Sequence, residues 1–271
     1  MRWSRVWSLR GATRPRTMER VGYSEQRSTL VPATVWRRQG PVAPAEILPD
    51  GCMDLIWTGT GLLIAGPDTG PVTATGSGDM VALRFDPGVA PSVLGVPAEE
   101  MVNGRVDFAD IAGSSQARRL SEEAAAGEPG DVLERFAAAQ LDRSPPPRWL
   151  HPATSLLSAG HQVASVADQI SASPRQLQRW SRHHYGYGAK ALQRILRVNA
   201  AMADLRTGRS AVDTAHHCGY ADYAHMFRDF RSVTGRPPAD FRPPMMGCSG
   251  GADQGFSSPE QPISGDQGSA A

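Results

Sequence analysis

Cysteine is scarce in this chain: Cys52, Cys218 and Cys248 occur with no short pairing between them. That excludes a disulfide framework and a zinc ribbon, and fits a reducing cytosol. No apolar run approaches the length of a membrane span. The first 17 residues are Arg-rich but lack a hydrophobic segment, so they are not a secretory signal. Histidine is missing from the first 150 residues. Neither a Cys–His dyad nor a Ser–His–Asp triad can form within that half, and a His-ligated metal centre is excluded there. Glutamate is missing from residues 151–243.

What is present is unevenly distributed. Residues 1–150 hold 16 Arg and 18 acidic residues, a balance of −2. Residues 151–243 hold 11 Arg, the single Lys190 and six Asp, a balance of +6, together with all seven His. A basic C-terminal module behind a mildly acidic one points to a nucleic-acid binder coupled to something else.

The pattern along the chain is β-rich first and helical later, an α+β two-domain organisation. Val31–Trp36, Met53–Trp57, Leu62–Ala65, Val72–Thr75 and Met80–Phe85 are short apolar or alternating runs separated by Gly/Pro turns. They predict a small antiparallel sheet or barrel. Short helices follow from Pro91, including Ala117–Ala125, and then Val132–Leu141, whose apolar stripe serves either as a dimer seam or as packing onto its own domain. Ser144-Pro145-Pro146-Pro147 makes a semi-rigid linker. The expected divisions are residues 1–17, a loose basic arm or sequence ahead of a true start at Met18; 18–125, a β-rich sensor; 126–150, helix and linker; 151–243, an all-α domain; and 244–271, a disordered Gly/Ser/Pro tail.

Within the helical block one pattern occurs twice. Leu177-Gln178-Arg179 is followed nine residues after Leu177 by Gly186, and Met226-Phe227-Arg228 nine residues after Met226 by Gly235. Each follows a short small-residue helix, Val163–Ile170 or Ala211–Cys218, and a turn. Ser173 can cap the first helix with Pro174 in its first turn, and Asp222 can cap the second. Leu177, Met226 and Phe230 face inward; the glycines permit left-handed ends. Between the units, Ala189–Leu205 spaces Leu192, Ile195, Leu196, Asn199, Met202 and Ala203 for one buried face, with Arg194 and Arg197 outside it. Two helix–turn–helix units in tandem are a device for placing two helices in successive major grooves of double-stranded DNA.

These residues resemble the DNA-binding domain of the AraC/XylS transcriptional regulators, a homeodomain-like tandem helix–turn–helix fold. The resemblance is carried by Thr214–Phe230, by Thr234-Gly235-Arg236-Pro237-Pro238 and by Phe241-Arg242, and it covers residues 163–242. It implies a sequence-specific regulator, not an enzyme, without a cofactor. It places base contacts at Arg175, Gln178 and Arg179, and at Tyr223, Ala224, Phe227 and Arg228. Arg182 lies on the same outer face, while Lys190, Arg194 and Arg231 suit phosphate contacts that set register. Three departures stand out. Ser181 replaces an aromatic core residue, a space that a rotated Trp180 would fill. Ala221 replaces a capping Ser. Phe227 is bulky where the family is small, which suits a thymine methyl or a sugar.

Leu48–Trp57, Ala65-Gly66-Pro67 and Leu83–Gly88 with Leu94–Pro97 are similar to small β-rich domains found ahead of some AraC-type modules. The resemblance implies that this domain takes a small-molecule effector or a second subunit in a homodimer, with RNA polymerase as a further partner and no role at a membrane, in a cytoplasmic, nucleoid-associated protein. Trp36, Trp57 and Arg84 are the candidate ligand-binding residues; Arg84 would pair an anionic ligand or else Asp50 or Asp54. Cys52 opens the alternative of an enzyme or thiol redox sensor with the helices as targeting module, against simple burial. Adjacent His183-His184 and His216-His217 point apart on a helix and, without a Cys or acid at standard spacing, predict no metal site.

Overall fold

The computed structural model describes residues 22–40, 45–74 and 78–243. The expectations for residues 1–17, for Met18, for Thr75 and for residues 244–271 with Cys248 lie outside the described residues. The chain runs β1 (Tyr23–Arg27), β2 (Ala33–Arg38), β3 (Ala45–Ile47), β4 (Met53–Trp57), β5 (Leu62–Ala65), β6 (Val72–Ala74) and β7 (Met80–Phe85). Then come α1 (Ala90–Leu94), β8 (Arg105–Asp107), α2 (Phe108–Ala112), α3 (Ser114–Ala126) and α4 (Pro129–Arg143).

Six strands form an antiparallel sheet in the order β1-β2-β7-β4-β5-β8, and β3 pairs with β6 in a separate ribbon. Because side chains alternate along a strand, the register sorts them by face. Ala33, Val35, Met53, Leu55, Leu62, Ile64, Leu83 and Phe85 fall on the buried face, where they join Phe108, Val132, Leu133 and Ala137 in one core. The apolar stripe of α4 is therefore turned onto its own sheet, and Arg37 fastens its start through a 2.6 Å pair with Glu128. Trp36, Ile56 and Ala82 form a smaller cluster on the opposite face.

The helical part comprises α5 (Leu150–Ser158), α6 (Val163–Gln169), α7 (Pro174–Tyr185), α8 (Ala189–Arg206), α9 (Ala211–His217) and α10 (Tyr223–Thr234), closed by a 3-10 turn over Pro238–Phe241. The pairs α6–α7 and α9–α10 are the two repeated units. Helix α8 joins them and touches α5, α7, α9 and α10. Contact on so many sides widens its buried surface: Val198, Ala201 and Leu205 join Leu192, Ile195 and Met202 in the core, while Leu196, Asn199 and Ala203 are half-buried. Arg197 departs from its expected place outside the stripe. It is drawn in by Asp229 at 2.6 Å and lies over the Tyr220 ring.

The sheet domain and the helical domain share one continuous core. Helix α7, the α7–α8 turn and α8 reach across with three hydrogen bonds to backbone carbonyls of sheet-domain loops. Tyr187 Oη donates to Asp68 O at 2.5 Å, Asn199 Nδ2 donates to Pro49 O at 2.9 Å, and His184 Nδ1 lies 3.1 Å from Gly88 O. The second unit is tied more lightly, by Arg236 to Glu46 at 3.3 Å.

Candidate nucleic-acid interface

Helix α7 starts where the local sequence says it should. Ser173 accepts from Gln176 N while Gln176 Oε1 accepts from Ser173 N, a reciprocal capping box, and Pro174 occupies the first turn. Asp222 does the same work for α10, accepting from His225 N at 2.6 Å, so Ala221 is not needed as a cap. Gly186 (φ +77°) and Gly235 (φ +69°) end the two helices in the left-handed region, where a side chain would be strained. Leu177, Met226 and Phe230 are fully buried. Ser181 is buried too, and its hydroxyl has no hydrogen-bond partner among the described residues. Trp180 does not fill the space beside it. It stacks instead on Trp149, rings 4.9 Å apart, leaving Ser181 on the inward face.

With the sheet domain docked, the outward faces of both helices stay open. Arg175, Arg179, Arg182, Lys190 and Arg228 are exposed and form no ion pair among the described residues. Tyr223 and Phe227 are each 39% exposed with rings 6.2 Å apart, and Ala224 lies beside them. Three other expected contact residues are engaged within the protein. Gln178 Oε1 accepts from Ala189 N at 3.2 Å, turning the side chain onto the α7–α8 turn. Arg194 pairs with Asp229 at 3.3 Å and donates to Ser232. Arg231 caps the end of α10 by donating to Gly235 O at 2.8 Å.

The candidate ligand residues do not converge. Trp57 packs against the main core, on the face of the sheet opposite Trp36. Arg84 and Trp36 do meet, at Asp54: Arg84 Nε lies 3.1 Å from Oδ1, and Trp36 Nε1 donates to Oδ2 at 2.9 Å. Asp50 and Glu25 each lie 3.8 Å from Arg84. Burial works against the guanidinium charge, but Asp54 and Asp50 outweigh it and hold the pKa up. Its charge is already neutralised, which leaves no cation for an anionic ligand.

Cys52 is half-buried, and burial followed by the Asp50 carboxylate pushes its pKa well up. The thiol therefore stays protonated. Burial pushes Cys218 up to about 11. One donor atom each from Asp204, His217 and Cys218 lies within 4.8 Å of the others, a grouping hidden from sequence spacing because Asp204 is on α8. Its carboxylate is already taken by His217 Nδ1 at 2.6 Å and by the Arg209 cation at 3.0 Å, so the cluster ties α8 to α9 and to the loop between them.

The family described as a helix-turn-helix domain matches residues 166–243, spanning both units. Residues 166–243 form an AraC-type helix-turn-helix domain, which supports a DNA-binding transcription regulator. AraC-type regulators are not enzymes. A second family, described as a domain of unknown function (DUF6597), matches residues 32–107 of the sheet domain. Among solved structures, the C-terminal domain of AraT, a response regulator from Geobacillus stearothermophilus, is 20% identical. It covers 35% of this chain and 84% of its own, with a TM-score of 0.33. ToxT from Vibrio cholerae O395 is 11% identical over 76% of this chain and 95% of its own, with a TM-score of 0.38. ToxT in its P21 form, also from Vibrio cholerae, is 10% identical over 81% and 97%, with a TM-score of 0.40. A search of curated proteins returns no match. No helix among the described residues is long and apolar enough to cross a membrane.

Proposed function

We propose that this regulator reads an asymmetric operator with both units of one chain, α7 and α10 entering major-groove faces about one helical turn, roughly 34 Å, apart. The observation that carries this reading is the repetition itself. Two helices share a capped start, an inward anchor and a left-handed glycine end, and both keep an outward face exposed among the described residues. Arg175, Arg179, Arg182 and Arg228 serve as base or phosphate contacts, Lys190 as a phosphate contact, and Tyr223, Ala224 and Phe227 as the apolar part of the second face. Gln178, Arg194 and Arg231 act as positioning residues that hold the reading helices in place. The sheet domain modulates reading through its seam with α7 and α8. Such a reader works in the cytoplasm.

Selection of bound sequences from a random DNA pool by the full chain tests this. An asymmetric motif of two blocks about ten base pairs apart is expected. Arg179→Ala and Arg228→Ala should each cost about 1–3 kcal/mol on the selected site and relax one base position. No enrichment at any salt concentration overturns the reading.

A further inference from the structure

Resting on that reading, the structure distinguishes the two faces chemically, and we propose that α7 reads guanines and α10 reads thymine methyl groups. On α7, Arg175, Arg179 and Arg182 recur at spacings of four and three and so form one stripe along the helix. Both glutamines that could have read adenine are occupied, Gln176 in the capping box and Gln178 at Ala189 N. What remains is guanidinium, whose bidentate partner in the major groove is the O6/N7 edge of guanine.

Helix α10 contains no Asn or Gln. Its outward face is the Tyr223–Phe227 pair, one turn apart, with Ala224 and the single unengaged Arg228 alongside. Arg231 is withdrawn to Gly235 O. The thymine C5-methyl is the apolar feature that the major groove offers. The helix starts argue the same way. The carboxylate of Asp222 sits at the start of α10 and repels a phosphate, whereas the neutral Ser173 leaves the start of α7 open to one. Helix α10 is thus seated by apolar contact with the bases, and the operator pairs a G-rich block under α7 with a T-rich block under α10.

The experiment uses the full chain and the selected duplex in two substituted forms. Deoxyuridine for thymidine in the second block removes methyl groups and leaves base pairing intact. 7-Deazaguanine in the first block removes the N7 acceptor. Affinity should fall about fourfold for each contacted methyl lost, and roughly tenfold for a contacted guanine altered. Phe227→Ala and, separately, Tyr223→Ala should flatten the uracil response while the deazaguanine response persists. Both side chains are exposed, and circular dichroism verifies that the variants fold. A second block poor in thymine, or a uracil duplex bound as tightly as its parent, overturns this inference and leaves two-helix reading standing. Failure to select any sequence removes both.

Discussion

At Cys52 the amide nitrogen donates to Asp50 Oδ1 at 2.9 Å, which fixes the turn into β4 and leaves the half-buried thiol near Asp50, Asp54 and Asp86, whose charges outweigh that of Arg84. A thiolate there would face carboxylates without a base to form it, so the residue behaves as a small hydrophobe. At pH 8, Cys218 should react with a thiol reagent roughly a hundredfold more slowly than a free cysteine, given the reduced thiolate fraction at a pKa of about 11. Cys52 should be slower still. The measurement uses native Cys248→Ser protein with unfolded protein as reference, and rapid native labelling of Cys52 would revive the redox reading. Residue-scale features were unevenly legible in the sequence. The pairing of Arg84 with Asp54 was legible because both lie in strand-like segments, and the register sets them opposite each other. The engagement of Gln178, Arg194 and Arg231 was not legible. Long polar side chains look alike on any helix surface, and two of the three find their partners across a turn or on another helix.

Helices α8 and α10 are joined through one carboxylate. Asp229 receives Arg197 at 2.6 Å and Arg194 at 3.3 Å, with His225 at 3.9 Å, and it is itself buried. Arg197 is 12% exposed, so removing its partner strands a cation in the interior. Asp229→Ala should therefore cost about 3 kcal/mol in urea unfolding. Arg228→Ala, one residue away but outward, should change stability by no more than about 0.5 kcal/mol while weakening DNA binding. Equal stability losses for the two would mean that the α8–α10 junction does not depend on this ion cluster. The capped helices and the apolar strands were legible because each carries a local signal, an N-cap or an alternating run. Strand β1, Tyr-Ser-Glu-Gln-Arg, was not: it is a polar edge strand that exists by pairing with β2. Strands β3 and β8, three residues each, are too short to show a period.

The two domains meet over a seam whose geometry is set by close approach of backbone to side chain. At Gly88, which lies at φ +85°, an added Cβ would sit 2.7 Å from both Leu150 Cδ1 and Tyr185 Cε1. Tyr185 is itself anchored, its hydroxyl 2.7 Å from Thr154 Oγ1. His184, next to it, is buried against Trp149 with its pKa lowered by burial, so it meets Gly88 O as a neutral ring at neutral pH. The seam therefore takes in the C-terminal turn of α7, a reading helix, and not a flexible connector. If the continuous core governs stability, the full chain unfolds in urea as one cooperative unit, with coincident transitions by helical circular dichroism and by tryptophan fluorescence. Gly88→Ala combines overpacking with left-handed strain and should lower the stability of that unit by about 3 kcal/mol, moving both signals together. Two separate transitions, with only one shifted by Gly88→Ala, would show domains that fold independently and touch without being coupled. The sheet domain could not then act on DNA reading through α7, and regulation would have to pass through the Glu46–Arg236 tie to the second unit.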